Sequence, residues 1–254
     1  MLEELATAAQ RRQLSVVYQP IYDSKTRAVT ALEALLRWTH PVLGAVSPAD
    51  FIELAESNGL IVDIGDWVIE TVCAQVADWA KRGYSMPRVC INVSARQFEH
   101  RGFAHRVLEA LSRNGLQPEQ IELELTETRA FANFESAAST MEGLRAAGIR
   151  LSIDDFGAGS TSLKLAGVLP MSTLKIDRCL VDAIGCDARR QAIVSCIVSM
   201  SRKLGMRTVA EGVDSLDSAR ILTMIGCDEL QGHYFAVPLQ ADAVLTMLYP
   251  SCAA

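Results

Sequence analysis

The sequence predicts a parallel α/β barrel, and three observations carry that expectation. Short β-prone runs alternate with longer helical segments about eight times within 254 residues, a length that one such barrel fills. No stretch is rich in Pro, Gly and Ser and the composition nowhere shifts, so no linker divides the chain. Half of the residues (50%) are apolar, enough for one large core. A doubly wound open sheet is the alternative that the pattern allows. It calls for a glycine-rich turn after the first strand, and residues 18–23 (YQPIYD) have none.

The β-prone runs cover residues 15–21, 29–38, 88–94, 120–126, 149–155, 172–177, 207–212 and 227–232. Between them, residues 63–81 place Ile64, Trp67, Val68, Val72, Val76 and Trp79 on one helical face. Further helices are expected over 103–114, 134–147, 189–204, 216–225 and 241–248. Ser47-Pro48-Ala49-Asp50 offers an N-cap serine, a first-turn proline and an acid at the third position. Ser94-Ala95-Arg96-Gln97 has the S-x-x-Q shape of a capping box, and Gly115 and Gly148 stand where helices should stop.

Composition excludes several classes. Net charge is −6, and no stripe of Lys and Arg alternates with aromatics, which argues against a nucleic-acid polymer as partner. No apolar run reaches the roughly 18 residues of a membrane span, so no membrane contact is expected. The first 13 residues lack the apolar core of a signal peptide, and a cytoplasmic location follows as the expectation. The seven cysteines (Cys73, Cys90, Cys179, Cys186, Cys196, Cys227, Cys252) form no C-x-x-C pair. Several, such as Cys90 and Cys196, sit in apolar stretches, so they read as reduced, buried thiols rather than disulfides or zinc ligands.

The informative pattern is where polar residues fall. Glu33 follows Val-Thr-Ala-Leu, Asn92 follows Arg-Val-Cys-Ile, and Glu124 lies within its run, followed by Thr126 and Glu127. Asp154 and Asp155 close the fifth run, Lys175 lies in the sixth, Glu211 follows Arg-Thr-Val-Ala in the seventh and Gln231 follows Cys-Asp-Glu-Leu in the eighth. Asp or Asn at one strand end commonly caps the next helix, and a lone Glu there is commonly solvated. Seven successive ends are hard to assign to capping, and a barrel brings strand ends together on its catalytic face.

Five carboxylates (Glu33, Glu124, Asp154, Asp155, Glu211) at one mouth repel one another. A pair about 4 Å apart costs roughly 4 kcal/mol at an effective dielectric near 20. Lys175 alone cannot offset that, so either several acids hold protons or cations fill the site. Oxygen ligands with one amide, and no His or Cys, suit Mg²⁺ or Mn²⁺ rather than zinc. Such sites serve phosphodiester hydrolysis, in which two metals stabilise the attacking and leaving oxygens. His100 and His105 read as solvated surface histidines. The glycine-rich segment from Asp154 to Ser160 lacks every other kinase signature and reads as a loop that orders when metal and ligand bind.

Eight motifs then stand in order: YQP at 18–20, EALLRW from Glu33, NVS at 92–94, ELTET at 124–128, DDFGAG at 154–159, LKIDR at 174–178, AEGV at 210–213 and QGHYF at 231–235. With them the chain resembles the EAL domain family of cyclic di-GMP phosphodiesterases, from about Leu14 to Leu239. The resemblance implies a modified TIM-type (β/α)8 barrel in a single domain over residues 1–254, cut from a larger signalling protein. It implies hydrolysis of cyclic di-GMP to linear pGpG with two Mg²⁺ or Mn²⁺ per site, inhibition by Ca²⁺, and a homodimer.

Residue by residue, Glu33, Asn92, Glu124 and Asp154 match ligands of one metal. Asp155 matches the acid of the second metal, with Asp154 bridging. Lys175 and Glu211 match the pair nearest the hydrolytic water, Glu211 as base or second-metal ligand. Gln231 matches the amide that orients this network, and Glu127 the acid that fixes the following loop. Arg37 matches a phosphate-contacting arginine and Gln19 a residue near a guanine, with Leu35, Asp214 and Phe235 completing the substrate-binding set. Asp214 replaces the family's usual Glu, and His233 replaces a common aromatic at the pocket edge. Ser160-Thr161-Ser162 departs from the aromatic and two serines common after Gly159, in the loop tied to dimer coupling. Glu53 stands for a frequent proline on a helix surface. A nucleotide receptor that binds without cutting is the alternative, and a metal-dependent lyase or aldolase barrel shares the fold signal alone.

Overall fold

The computed structural model describes residues 1–126, 134–158 and 169–250. Nine strands are present among the described residues: β1 (Leu14–Asp23), β2 (Val29–His40), β3 (Gly44–Val46), β4 (Arg88–Val93), β5 (Ile121–Thr126), β6 (Arg150–Phe156), β7 (Thr173–Ile176), β8 (Arg207–Ala210) and β9 (Glu229–Leu230). They are ordered β1-β9-β8-β7-β6-β5-β4-β2-β3, and a further β1–β2 pairing closes eight of them into a barrel. All eight expected runs are strands of that barrel. β3 was not expected; it forms a short hairpin on the far end of β2, with Trp38 opposite Val46.

The alternation is not uniform, and here the expected all-parallel order is corrected. β1 runs antiparallel to both β2 and β9, while every other barrel pairing is parallel. The cause is the connection from β1 to β2. The Asp23 carboxylate accepts hydrogen bonds from Lys25 N, Thr26 N and Thr26 Oγ1 at 3.0, 2.7 and 3.0 Å, which folds the chain back in a tight turn. A parallel crossover needs a dozen or more residues and this turn leaves no room for one.

Ten helices wrap the barrel: α1 (Leu2–Ala6), α2 (Pro48–Asn58), α3 (Ile61–Lys81), α4 (Ala95–Glu99), α5 (Phe103–Asn114), α6 (Phe134–Ala146), α7 (Arg178–Val181), α8 (Ala188–Lys203), α9 (Leu216–Ile225) and α10 (Ala241–Leu248) among the described residues. α3 buries Ile64, Val68, Val72, Val76 and Trp79 on the stripe that its spacing demands. Gly115 ends α5 in the left-handed region at φ 68°. Ser47 is the N-cap of α2 with Pro48 in the first turn, yet its side chain caps nothing. Ser94 Oγ does accept from Gln97 N at 3.1 Å, but the Gln97 side chain does not return the bond. The capping box is therefore half formed.

Two large apolar clusters pack helices against the barrel strands. The larger joins the barrel to α3, α5, α6 and α8. The smaller gathers Leu5, Ala8, Leu14, Trp38, Phe51, Ala55, Ile61 and Ile64 from α1, α2, the start of α3 and the ends of β1 and β2. Phe51 is wholly buried there, and truncating such a ring to Ala costs about 3–5 kcal/mol. Cys73, Cys90 and Cys227 are buried free thiols as expected, but Cys179, Cys186 and Cys196 face solvent. Cys196 is exposed because α8 turns Val194, Ile197, Val198 and Ser201 inward instead. Cys252 lies outside the described residues. No described helix is long and apolar enough to cross a membrane.

Candidate active site

The carboxylate set meets at one end of the barrel, each side chain placed by its own strand. Adjacent strands set Gln19 opposite Glu33, Glu33 opposite Cys90, Asn92 opposite Glu124, and Thr126 opposite Asp154. Glu33 does not end its strand: β2 continues to His40, so the Glu lies inside the ladder. Glu211 and Gln231 each stand one residue beyond β8 and β9. At Asp154 and Asp155 the β6–β7 register slips between Ile153 and Phe156. Asp155 there adopts φ 56°, a left-handed conformation that an aspartate tolerates at some cost. A bulge of this kind re-aims consecutive side chains, which in a regular strand would point to opposite faces.

Lys175 lies at the centre and is 1% exposed. Its Nζ stands 2.6 Å from Glu211 Oε1, 2.8 Å from Glu124 Oε2, 3.1 Å from Asp154 Oδ1 and 3.6 Å from Glu33 Oε2. Glu33 is further clamped by Asn92 Nδ2 donating to Oε1 at 2.7 Å and Gln231 Nε2 donating to Oε2 at 2.6 Å. Gln231 Nε2 also reaches Gln19 Oε1 at 3.3 Å, and Gln19 Nε2 donates to Ala236 O at 3.1 Å. This chain of bonds fixes one carboxylate in one orientation.

Burial and partners set opposing protonation preferences. Burial works against the Glu33 charge, but Lys175, Gln231 and Asn92 outweigh it and hold the pKa below the usual range. Glu124 is equally buried with only Lys175 to favour its charge, and its pKa lies well above that range. Burial pushes Glu211 up to about 8 despite Lys175, with Asp154 and Glu33 adding to the rise. Burial, then the Asp154 and Asp177 charges, raise Asp155 to about 6. Burial opposes the Lys175 charge, yet the four carboxylates keep its pKa well above the ordinary lysine value.

The donor set fits a hard divalent cation. One oxygen from each of Asp154, Asp155 and Glu211 lies within 4.8 Å of the others. Asp154 Oδ1 is buried beside the Lys175 ammonium yet accepts no hydrogen bond, and the Gln231 Oε1 is likewise buried and unbonded among the described residues. Oxygen-only ligands suit a hard divalent cation rather than zinc.

The mouth has two lobes that meet at Asp155. One, of about 310 Å³, is lined by Gln19, Glu33, Asp154, Asp155, Glu211, Asp214 and Gln231. His233 also lines this lobe, together with Arg178 and Gly212, which the sequence did not single out. Arg178 had a signal, since it closes the LKIDR run just where the strand that carries Lys175 gives way to a helix. The second lobe, of about 470 Å³, is lined by Leu35, Arg37, Asn92 and Asp155 with apolar walls from α2 and α3. Phe235 lines neither; its ring stacks on Tyr22 at 5.0 Å between centroids, with the Arg27 guanidinium over it at 5.4 Å. Lys175 lies beneath the first lobe rather than open to it. His105 pairs with Glu109 on the exposed face of α5, and His100 contacts Arg106. Glu127, Gly159 and Ser160-Thr161-Ser162 lie outside the described residues.

Comparison with known proteins gives consistent results. The family model described as EAL domain matches residues 2–238. The bifunctional diguanylate cyclase/cyclic di-GMP phosphodiesterase MucR of Pseudomonas aeruginosa is 40% identical over 245 residues, covering 96% of this chain and 36% of MucR. The cyclic di-GMP phosphodiesterase NbdA of the same organism is 37% identical over 244 residues, covering 96% of this chain and 31% of NbdA. The chain thus spans about a third of the length of these relatives. The solved PaMucR phosphodiesterase in complex with c-di-GMP superposes with a TM-score of 0.91 over 96% of this chain and 99% of that one, at 40% identity. BlrP1 of Klebsiella pneumoniae, a calcium and cy-diGMP complex, gives 0.80 at 27% identity over 90% of this chain and 56% of that one.

Proposed function

The chain belongs to the EAL domain family, and on that footing we propose that it hydrolyses cyclic di-GMP to linear pGpG in a metal-dependent reaction. The observation that carries this is the group of Asp154, Asp155 and Glu211, which lines the first lobe, meets the second at Asp155 and is backed by the buried Lys175. A cyclic dinucleotide has two bases flanking a phosphodiester core, and two lobes flanking a carboxylate cluster match that outline. Glu33, Asn92, Glu124 and Asp154 would hold one cation. Asp155 would hold a second, with Asp154 shared and Glu211 beside it. When bound, the cations would supply positive charge at the phosphoryl oxygens.

The chain's own groups do the rest. Asn92 and Gln231 fix the Glu33 carboxylate through both of its oxygens. Lys175, 2.6 Å from Glu211 Oε1, orients that carboxylate toward the mouth, where it accepts the proton of the attacking water. The water oxygen bonds to phosphorus, one ester P–O bond breaks, and the leaving alkoxide takes up the proton that Glu211 accepted. Arg37 and Arg178 place cationic charge in the two lobes, where the nucleotide phosphates need it. Incubating the protein with cyclic di-GMP and Mg²⁺, then resolving the nucleotides by chromatography, tests this. Conversion to pGpG is expected, abolished by a chelator; an intact substrate that nevertheless binds would make the chain a receptor.

A further inference from the structure

The second lobe contains a polar group that nothing above uses. Gln97 is 1% exposed, lines this lobe, and its side-chain Nε2 is buried with no hydrogen-bond partner among the described residues. Burying an unbonded amide is unfavourable, and the neutral alternative, a leucine or methionine, would fill the same place without that cost. The S-x-x-Q pattern makes the amide's idleness sharper. A capping-box glutamine folds back on the N-cap backbone, but this one extends across to α3.

The opposite wall is shaped for it. A Cβ on Gly65 would lie 2.2 Å from Gln97 Oε1, 2.3 Å from Cδ and 2.4 Å from Nε2. Gly65 sits inside the 21-residue α3 with buried neighbours, where glycine is a poor helix former and any larger residue would displace the amide. A glycine in an otherwise well-formed helix and an unsatisfied glutamine opposite it are two separate departures from good packing, and they concern the same spot. Around them the walls are apolar (Leu35, Ile52, Ile61, Ile64), and Asn92 and Asp155 join the lobe to the carboxylate cluster.

A slot with apolar walls and a few polar groups suits a flat heteroaromatic ring whose edge can hydrogen-bond. We propose that Gln97 is a base-binding residue, its amide hydrogen-bonded to the edge of the nucleobase that enters this lobe, with Gly65 keeping the space that the amide requires. The inference rests on the reading of the chain as a cyclic di-GMP phosphodiesterase and adds a residue to it. Guanine offers acceptors at O6 and N7 for the Nε2 donor. The Nε2 donor has no partner among the described residues, as a donor kept for a ligand would.

The test replaces Gln97 by Met, which keeps the length and apolar stem and removes the amide. Turnover of cyclic di-GMP by the whole chain is measured in Mg²⁺ across substrate concentrations, with a thermal melt of the same samples. KM should rise about tenfold, the scale of one lost neutral hydrogen bond in a desolvated site, with kcat within about twofold. Tm should hold or rise, since Gln97 Nε2 has no partner among the described residues. Gly65→Ala should raise KM in the same direction by pushing the amide aside. A Gln97→Met protein with wild-type KM overturns the proposal. So does a drop in Tm of several degrees with KM unchanged, because the amide would then be structural. Wild-type protein that neither binds nor cleaves cyclic di-GMP overturns the functional reading itself, and that result is separable because it needs no variant.

Discussion

An ammonium as buried as that of Lys175 normally sheds its proton, and here it keeps it because four carboxylates surround it within 3.6 Å. The dependence is mutual, since Lys175 is the side chain that donates to Glu124. Lys175→Met should therefore act first on the carboxylates. In chelator-treated protein it should lower stability by about 3–5 kcal/mol, the usual cost of leaving buried charge unpaired, and Mg²⁺ should recover part of the loss. Melts with and without Mg²⁺ read this directly, and an unchanged Tm in chelator would remove Lys175 as the organiser of the cluster. Glu211→Gln tests a different role. It keeps shape and removes the proton acceptor, so turnover in Mg²⁺ should fall at least about a hundredfold. Affinity measured in Ca²⁺, whose longer bonds and larger ligand number should stop turnover while allowing binding, should hold or improve. Lost affinity with retained rate would make Glu211 a binding residue.

At the scale of elements, the eight barrel strands were legible because each is a short β-prone run, and seven of them carry a polar group that meets the others at one end of the barrel. Strand direction was not legible from the runs themselves, because alternation marks a strand without giving its sense. The length of the segment between residues 21 and 29 did carry the answer, being too short for a parallel crossover. Phe235, placed with the substrate residues by its motif, stacks its ring on Tyr22 outside both lobes. Gly232 is the position where an element's geometry bears hardest on the site. A Cβ there would lie 2.0 Å from Val213 O and 2.3 Å from Val213 N, backbone atoms that cannot swing aside. Val213 N already donates to Gln231 O at 2.9 Å, so the clash would part the segments that carry Glu211 and Gln231. Gly232→Ala should cost about 1–3 kcal/mol or more and lower turnover at least tenfold. Gly143→Ala, in α6 with nothing within 4 Å, is the control and should leave both unharmed. Equal behaviour of the two variants would show that the close approach has no consequence.

For the molecule as a whole, the barrel must be closed where its ladder is weakest, because β9 is only two residues long and is flanked by the reversed β1. At the end away from the carboxylate mouth, Arg88 spans the lumen. Its Nε donates to Glu122 Oε2 at 2.7 Å on β5, a terminal nitrogen to Glu229 Oε2 at 2.7 Å on β9, and the other to Thr30 O at 3.2 Å on β2. Burial opposes the Arg88 charge, but the carboxylates of Glu122 and Glu229 prevail and raise its pKa. Both glutamates are 1% exposed, so removing the arginine strands the buried Glu122 charge and leaves Glu229 with Arg207 alone, at 3.2 Å. Arg88→Leu should lose about 3–5 kcal/mol, and Tm should fall by roughly 10 °C. Adding Glu122→Gln and Glu229→Gln to that variant should recover much of the loss, since the penalty lies in the stranded charges rather than in the missing arginine. Turnover at about 25 °C should stay within a few-fold of wild type, because the catalytic groups stand at the opposite end and the protein is still folded. A single variant with wild-type Tm would show that the ladder closes the barrel unaided. A large loss of turnover at full stability would mean instead that β9 transmits the state of Glu229 to Gln231, just beyond it along the chain.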